Sequence, residues 1–269
     1  MSKLKLNTFI ISMLMLLSLS TLAEAELNEI AAEKVAVIDN MHAKAEKAIV
    51  NAAKNKAFPD FFRTHDHNEK SRLKTKIERI SLAVQREFSV EEMCLIDANG
   101  PELTRIVNRK IATDLSPDES GAIFFAPGIK LKENESYVSP VYYSPDALRL
   151  VIAYLTPIIL RDKNVAMLHF EHDLKVYQEE LSSNLKDGTE LLAVNKEGYI
   201  VSDSRSDIKI YGDKENVGDY LKLLKAEGMN MVDIKNAIDS GNKFTLSGIS
   251  YSGVYKDSGH WTYLILSSI

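Results

Sequence analysis

Side chains that could bind a small molecule are concentrated between residues 122 and 173. Tyrosines stand at four positions in segments that predict strands: Tyr137, Tyr142, Tyr143 and Tyr154. A strand tyrosine can line a pocket or can be an ordinary half-buried aromatic. Phe124 and Phe125 precede them and suit either a core or a surface that stacks on a ligand. For each of these aromatics, both roles remain open.

Two aspartates in the same region could contact a ligand or serve only the backbone. Asp173 precedes the apolar helical run from Leu174 to Leu181. It is therefore a natural helix N-cap, because its carboxylate can accept a hydrogen bond from the first turn. Asp146 follows Ser144-Pro145, where an aspartate often only completes a turn. Neither role prevents contact with a ligand, so both residues are candidates.

The histidines form no clear metal motif, and the common catalytic motifs are absent. His65 and His67 would lie on one side of a strand, while His169 and His172 flank Phe170-Glu171. A closed zinc site needs about four ligands and supporting partners, so we expect neither a metal nor another cofactor. The sequence contains no Gly-x-Ser-x-Gly, no His-Glu-x-x-His and no phosphate-binding loop, so we do not expect an enzyme.

Composition excludes several classes of protein. The chain has 269 residues, of which 45% are hydrophobic and 26% charged, and its net charge is -5. These values suit one large or two small soluble domains and lack the basic character of nucleic-acid-binding proteins. Cys94 is the single cysteine, which excludes a disulfide framework. Its apolar neighbours predict a buried strand, and a reactive thiol is the alternative.

The N-terminal segment has the pattern of a secretory signal peptide. Lys3 and Lys5 precede an apolar run over residues 9–22, and Ala23-Glu24-Ala25 follows as a small-x-small cleavage pattern. We expect cleavage after Ala25 and a periplasmic product without stable membrane insertion. The alternative is an uncleaved anchor, although the run is shorter than the roughly 20 residues that span a bilayer.

Helical periodicity predicts two helices in the N-terminal part of the chain. From Leu27 to about Ala57 there is no Gly or Pro, and apolar residues recur on one face: Leu27, Ile30, Ala31, Val35, Ile38, Met41, Ala45, Ala48, Ile49 and Ala52. This spacing predicts a helix with one buried stripe. A second helix is predicted from Ser71 to Phe88. The long helix would suit two stacked modules.

Two similar strand–turn–strand units follow about 100 residues apart. Residues 93–97 and 102–108 flank an Asn-Gly turn, which is a strong hairpin signal. Residues 191–195 and 199–202 repeat the pattern around Gly198. Further strands are predicted at residues 137–143, 147–160 and 165–170, and then at 244–250, 253–256 and 261–266, with a helix over residues 174–185. This order predicts a duplicated antiparallel-sheet module.

The chain after the signal peptide resembles the double Cache domains, which are extracytoplasmic sensors with PAS-like sheets. The resemblance is carried by the long helix and, in order, by these segments: Leu95–Gly100, Phe124–Gly128, Tyr137–Tyr142, Leu150–Ile158 and His172–Leu174. It implies an α/β (α+β) fold with a long N-terminal helix and two stacked PAS-like modules, each with a central antiparallel sheet. The expected divisions are 1–25 signal peptide, 26–70 helix and loop, 71–185 membrane-distal module and 186–269 smaller second module.

The resemblance also bears on the ligand. Amino-acid-binding members carry an Arg-x-Trp-Tyr pattern whose arginine holds a carboxylate, and the matching residues here are Ala122-Ile123-Phe124-Phe125. Tyr142, Asp146 and Asp173 match positions that receive a ligand amine. Acidic groups beside aromatic faces suit a cation, so we expect an amine or another non-carboxylate metabolite. Arg105 and Arg149 could supply the missing positive charge, or could be solvent-facing strand residues.

Three functions remain in competition. The first is an exported sensor module that binds a small ligand and signals through a membrane receptor or sensor kinase. The second is a protein-interaction or regulatory subunit without a small-molecule ligand, with the long helix as a surface for a partner or a homodimer. The third is a solute-capturing protein for a transporter, although a continuous helix through both modules would resist lobe closure.

Overall fold

The computed structural model describes the backbone of residues 3–88, 90–205 and 221–269, with side chains from Glu24 onward. The described residues form two compact units. The first-sheet unit comprises residues 40–88 and 90–177, and the second-sheet unit comprises residues 3–39, 178–205 and 221–269. The two antiparallel sheets and the long helix confirm the predicted fold class.

The first helix is longer than its sequence pattern predicts. Helix α1 runs from Lys3 to Ala53, so it is continuous through Ala25, and signal cleavage stays a prediction. The predicted stripe is confirmed, since every one of its ten members is buried or half-buried. Among the residues with described side chains, none of the large exposed hydrophobic residues lies on α1, and no helix is long and apolar enough to cross a membrane.

Helices and strands of the first-sheet unit match most predicted elements. After α1 come α2 (Ala57–Arg63), α3 (His67–Phe88), β1 (Glu92–Asp97), β2 (Glu102–Val107), β3 (Lys110–Ile111), α4 (Phe125–Gly128), β4 (Tyr137–Val138), β5 (Tyr142–Ser144), β6 (Arg149–Leu160) and β7 (Lys163–Asp173). The predicted strand 137–143 is wrong as one element. It is divided around Pro140, which has no N–H for the ladder.

These strands form an antiparallel sheet in the order β3-β2-β1-β7-β6-β4, with β5 also paired to β6. Helices α2 and α3 cover one face, where α2 contacts β6 and α3 contacts β1 and β2. Phe88 stacks on Phe170 with ring centroids 6.1 Å apart, and Gln85 donates a hydrogen bond to the Ile106 carbonyl at 3.3 Å. The opposite face of the sheet is not covered by these two helices, so the segment between β3 and β5 can pack against it.

A buried hydroxyl network lies on the helix-covered face. The hydroxyl of Tyr154 lies 2.6 Å from His42 Nδ1 and 2.5 Å from the hydroxyl of Tyr177. His172 Nδ1 lies 2.8 Å from the same Tyr177 hydroxyl. This network joins α1, β6 and β7, because each contributes a side chain to it.

Helix α5 (Leu174–Ser182) includes the unit boundary after residue 177. The second-sheet unit then contains β8 (Thr189–Asn195), β9 (Ile200–Asp203), α6 (Met231–Asp239), β10 (Phe244–Leu246), β11 (Ile249–Asp257) and β12 (Trp261–Ser268). Its sheet order is β10-β11-β12-β8-β9, and its core includes Ile234 and Tyr251. The predicted strand 244–250 is wrong at Ser247 and Gly248, whose φ angles of 47° and 82° form a turn. Positive φ at both positions is typical of a tight hairpin.

Candidate functional site

Strand register places four polar side chains together on the open face of the first sheet. Cys94 of β1 lies opposite His169 of β7, and Glu92 lies opposite Glu171. Directly opposed residues of antiparallel strands share a face, and their immediate neighbours point to the other side. All four side chains are buried, with Cys94 and His169 each only 1% exposed.

A bulge in the β1–β2 pairing adds two more polar residues to this face. Cys94 pairs with Arg105, Leu95 with Thr104, and Ile96 with Glu102, so the register shifts by one residue. The extra residue reverses the alternation on β2. Arg105 and Glu102 therefore both lie on the same face as Cys94, although they are three residues apart in sequence.

We define the acidic face as six residues, Glu92, Cys94, Glu102, Arg105, His169 and Glu171, and hydrogen bonds hold five of them in two groups. The Cys94 thiol lies 2.9 Å from Glu92 Oε1 and 3.1 Å from Glu102 Oε1. Tyr142 of β5 donates a hydrogen bond from its hydroxyl to Glu171 Oε1 at 2.6 Å. The Tyr142 hydroxyl oxygen also lies 3.3 Å from His169 Nε2.

An apolar cover lies over the acidic face. Phe124 stacks on His169 with ring centroids 4.3 Å apart and is tilted against Tyr142 at 5.8 Å. Phe124 and Phe125 belong to a buried cluster with Cys94, Ile96, Ala153, Leu155 and Met167, against which Ala122, Ile129, Leu131, Tyr137 and Tyr142 also pack. Helix α4 approaches the sheet closely at Gly128, where a Cβ would lie 3.0 Å from Leu155 Cδ2. The cover keeps the polar groups out of water.

Burial shifts the proton affinities of these groups strongly. It raises the pKa of Glu92 to about 9, and repulsion from Glu171 acts in the same direction. Burial raises the pKa of Glu171 to about 7 and the pKa of the Cys94 thiol well above its ordinary value. Burial lowers the pKa of His169 to about 3. All four shifts disfavour the charged form, as expected where water is excluded.

Arg105 is the buried cation of the acidic face, and its charge is already engaged. Its guanidinium lies 2.9 Å from Asp146, 3.1 Å from Asp114 and 3.6 Å from Glu102. It also donates to the Asp114 carbonyl at 2.5 Å. Since its side chain is 6% exposed and surrounded by acids, it is poorly placed to receive a ligand carboxylate.

Four atoms of the acidic face are buried without a hydrogen-bond partner among the described residues. They are Glu92 Oε2, Arg105 Nε, His169 Nδ1 and Glu171 Oε2. A buried polar atom without a partner costs about 1–3 kcal/mol, so several at one place call for an explanation. A ligand that supplies positive charge or donors would satisfy the two carboxylate oxygens.

Comparisons with known proteins identify the fold. No family model matches the chain, and no curated protein sequence matches it. Among solved structures, the sensory domain of the Campylobacter jejuni chemoreceptor Tlp3 with isoleucine bound is similar over 93% of this chain and 94% of that chain, with 13% identity and a TM-score of 0.69. The ligand-binding domain of the Pseudomonas aeruginosa amino acid chemoreceptor PctC, in complex with GABA, covers 92% and 99% at 16% identity and TM-score 0.61.

A domain of a sensory box/GGDEF family protein from Vibrio parahaemolyticus is similar over 91% of this chain and 96% of that chain, with 17% identity and a TM-score of 0.65. The chain has the double Cache fold. Within that double Cache fold, the acidic face lies entirely in the first-sheet unit, because all of its residues fall between positions 92 and 171.

The structure brings together six of the nine predicted site residues at the acidic face of this double Cache chain. Arg105 is part of the face, Phe124, Phe125 and Tyr137 belong to its cover, Tyr142 bonds to Glu171, and Asp146 pairs with Arg105. Their contact with a ligand stays a prediction.

The other three predicted residues lie elsewhere. Tyr154 is on the helix-covered face, in the network with His42. Tyr143 neighbours Tyr142 on β5 and therefore points to the opposite side of the sheet. Asp173 accepts a hydrogen bond from the Lys175 N–H at 2.8 Å and pairs with Arg149 at 3.1 Å, so its capping role is the one that the contacts support.

Sequence reasoning missed the acids at the centre of the double Cache site. Glu92, Glu102 and Glu171 were not among the candidates, and His169 was considered only together with His172. A signal was present, since Glu-x-Cys on β1 and His-x-Glu on β7 place polar residues at alternate strand positions. Alternation of polar residues within an otherwise apolar strand would have identified this face.

Proposed function

We propose that the chain is an exported sensor domain that binds a small cationic ligand on the acidic face of its first sheet. The observation that carries the proposal is the charge balance of this face. Three buried carboxyl groups, Glu92, Glu102 and Glu171, accompany one buried guanidinium, and two of their oxygens have no partner in the described part of the chain. With water excluded, these carboxyl groups ionise only beside a positive charge, so a bound cation is the complement that the face lacks.

The residues that would receive an amino acid's carboxylate favour a different ligand here. Ala122 is at the position where the resemblance places an arginine, and it is a half-buried neighbour of the apolar cluster. Arg105 is enclosed by Asp146, Asp114 and Glu102. A carboxylate is best held by a free guanidinium in a bidentate pair, so an amine or another cation without a carboxylate fits better.

Signalling through a separate membrane protein completes the proposal. The solved structures similar to this chain include chemoreceptor domains and the extracellular domain of a protein described as a histidine kinase. The N-terminal pattern that ends at Ala25 favours export to the periplasm. Ligand binding would then shift the population of two conformations that a receptor or sensor kinase distinguishes, which requires different ligand affinities for the two.

The alternative is an interaction subunit without a small ligand. The long helix is the surface that this hypothesis would use first. Since the large exposed hydrophobic residues of the described part lie outside α1, the helix offers no exposed apolar stripe from Glu24 onward. The acidic face, in contrast, has unpartnered groups that only a bound species would satisfy.

A thermal-shift screen of the purified protein tests the proposal. The panel contains amines, divalent cations, amino acids, organic acids and sugars. A ligand at 100 times its Kd stabilises the fold by about 2.7 kcal/mol, a rise in Tm of roughly 5–10 °C for a chain of this size. We expect such a rise with a cation, its loss in Glu171→Gln, and its retention in Glu87→Gln, which changes an exposed acid of α3.

Two results would contradict the proposal. Stabilisation by organic acids alone would reverse the charge that we assign to the ligand. A flat response to every cation would leave the interaction hypothesis as the better explanation, and capture of membrane receptors from the same cells would be its next test.

A further inference from the structure

Three metal-binding side chains converge at the centre of the acidic face. Glu92, Cys94 and His169 each offer one ligand atom, and these atoms all lie within 4.8 Å of one another. All three side chains are at most 4% exposed. They come from the adjacent central strands β1 and β7, which hold them on one rigid surface.

We propose that Glu92, Cys94 and His169 bind a divalent, thiol-preferring metal ion of the Zn²⁺ class. This inference rests on the proposed function and names its cation. Thiolate sulfur, imidazole nitrogen and carboxylate oxygen are the ligands that Zn²⁺ takes in proteins, at about 2.0–2.3 Å. In a tetrahedral site, ligand atoms lie roughly 3.3–3.7 Å apart, so a contraction on the order of 1 Å would close this set around the ion.

Two neighbouring carboxyl groups can complete the coordination. Glu102 Oε1 is 3.1 Å from Cys94 Sγ, while its Oε2 is held by the Ser116 N–H at 2.6 Å. Glu171 lies opposite Glu92 across the β1–β7 pairing, and no described residue donates a hydrogen bond to its Oε2. Either oxygen, or a water molecule, can serve as the fourth ligand that a tetrahedral ion needs.

Unpartnered atoms in the cluster are the independent observation that points to a ligand. His169 Nδ1 and Glu92 Oε2 are buried without a hydrogen-bond partner among the described residues. A metal ion would satisfy both, because each presents a lone pair. A hydrogen-bond donor such as an amine would find only a weak acceptor in the Cys94 sulfur, whereas a metal ion binds the thiolate directly.

The surroundings of His169 fit a metal-bound imidazole. One His169 tautomer donates its Nε2–H to the Tyr142 oxygen, and Nδ1 then keeps its lone pair for a metal. Tyr142 in turn donates a hydrogen bond to Glu171 Oε1. Metal-ligating histidines usually donate their second ring N–H in this way, which sets the tautomer and the ring orientation. Tyr142 is therefore a positioning residue for His169.

The proton balance of binding is simple. The S–H bond of Cys94 breaks as the S–metal bond forms, the O–H bond of a protonated Glu92 breaks as its carboxylate binds, and these protons pass to the buffer. No electron is transferred, so Zn²⁺ needs no oxidant or reductant. Proton release on binding is a general property of thiolate sites.

The test uses tag-free protein that has been stripped of metal with a chelator and dialysed. Zn²⁺ is titrated by calorimetry, and Co²⁺ is added in parallel to look for the thiolate-to-cobalt charge-transfer band. Because Cys94 is the single cysteine of the chain, this band by itself assigns the thiolate ligand without any variant. We expect one Zn²⁺ per chain and a clear band.

Variants give a second readout. Cys94→Ser should abolish the band and weaken Zn²⁺ binding at least tenfold, whereas His67→Asn, which changes a histidine outside the cluster, should leave both unchanged. Tyr142→Phe should keep the band but lose 10–100-fold in affinity, the usual effect of removing an outer partner. If Cys94→Ser does not fold, the cobalt charge-transfer band of the wild-type protein still shows whether Cys94 is a metal ligand.

The outcomes separate this inference from the proposed function. Amine binding without Zn²⁺ binding would overturn the metal site and leave the cationic sensor proposal in place. Zn²⁺ binding without a thiolate band, or with unchanged affinity in Cys94→Ser, would overturn this ligand set. A protein that binds neither amines nor metals would overturn both proposals.

Discussion

Replacement of Glu92 by glutamine should change how stability depends on pH. In the metal-free protein, the Glu92 carboxyl faces Cys94, Glu102, Asp146 and Glu171, and burial raises its pKa to about 9 from 4.5. The folded state therefore binds this proton more tightly than the unfolded state. The resulting stabilisation is fully present below pH 4.5 and is lost as pH rises toward 9.

The magnitude follows from the width of the pH interval. Each pH unit between the unfolded and folded pKa values changes the free energy of unfolding by about 1.36 kcal/mol. Between pH 6.5 and 8.5, the titration of Glu92 alone should therefore lower the free energy of unfolding by about 3 kcal/mol. This corresponds to a fall in Tm of roughly 5–10 °C. Glu171, whose pKa is raised to about 7, adds to the loss in the lower part of this interval.

The interval is chosen to avoid the histidines. Burial lowers the pKa values of His169 and His172, so their unfolded forms bind more protons below about pH 6.5 and their effect on stability has the opposite sign there. Above pH 6.5 this contribution fades as the unfolded imidazoles lose their remaining protons, and the carboxyl groups dominate above about pH 7.5.

The assay is thermal and urea unfolding at half-unit pH steps in the presence of a chelator. We expect the stability of Glu92→Gln relative to the wild type to rise by roughly 3 kcal/mol from pH 6.5 to pH 8.5, because glutamine can still accept the Cys94 hydrogen bond without ionising. Glu87→Gln should retain the wild-type profile. A wild type whose Tm stays constant from pH 6.5 to 8.5, or a Glu92→Gln variant that keeps the wild-type slope, would refute the reasoning.

Three further predictions concern packing and buried hydrogen bonds. Tyr154→Phe removes the hydroxyl that contacts His42 and Tyr177 and should cost about 1–3 kcal/mol of unfolding free energy in urea titrations; no loss would show that the network is dispensable. Gly128→Ala adds a methyl group 3.0 Å from Leu155 Cδ2 and 3.1 Å from Met167 Sδ and should lower stability by about 1–3 kcal/mol, whereas an unchanged Tm would mean that the cover shifts freely. Lys34→Met removes the ammonium that donates to the Glu180 and Ser183 carbonyls at the end of α5, at 2.9 and 2.5 Å. It should lower the free energy of unfolding by about 2 kcal/mol. Lys44→Met, on the exposed side of α1, is the control and should leave this free energy unchanged.

Much of the fold follows from local patterns. The stripe of α1, the Asn-Gly turn between β1 and β2 and the apolar segments that became β6 and β7 are signals carried by a few neighbouring residues. The two wrong strand predictions also have local causes, since Pro140 divides one predicted strand and Ser247-Gly248 forms a turn in the other. Elements were predictable because their signals lie within a few residues.

The candidate site was predictable only in part. Tyr142, Asp146 and Arg105 were proposed from their types and positions, and the structure places them together. Tyr154 was proposed on the same grounds and lies on the other face. Residue type alone does not report the side of a strand, and a one-residue change in register reverses it.

The sequence by itself determined the element types, the single cysteine, the excess of acids and the missing arginine near Phe124. Tertiary structure alone decided which acids meet. Glu92, Glu102 and Glu171 are up to 79 residues apart along the chain, and they converge through the β2-β1-β7 pairing and the bulge at β2. Strand partners and bulges depend on long-range packing, which no short window of sequence contains, and burial beneath the apolar cover then raises the pKa of these acids.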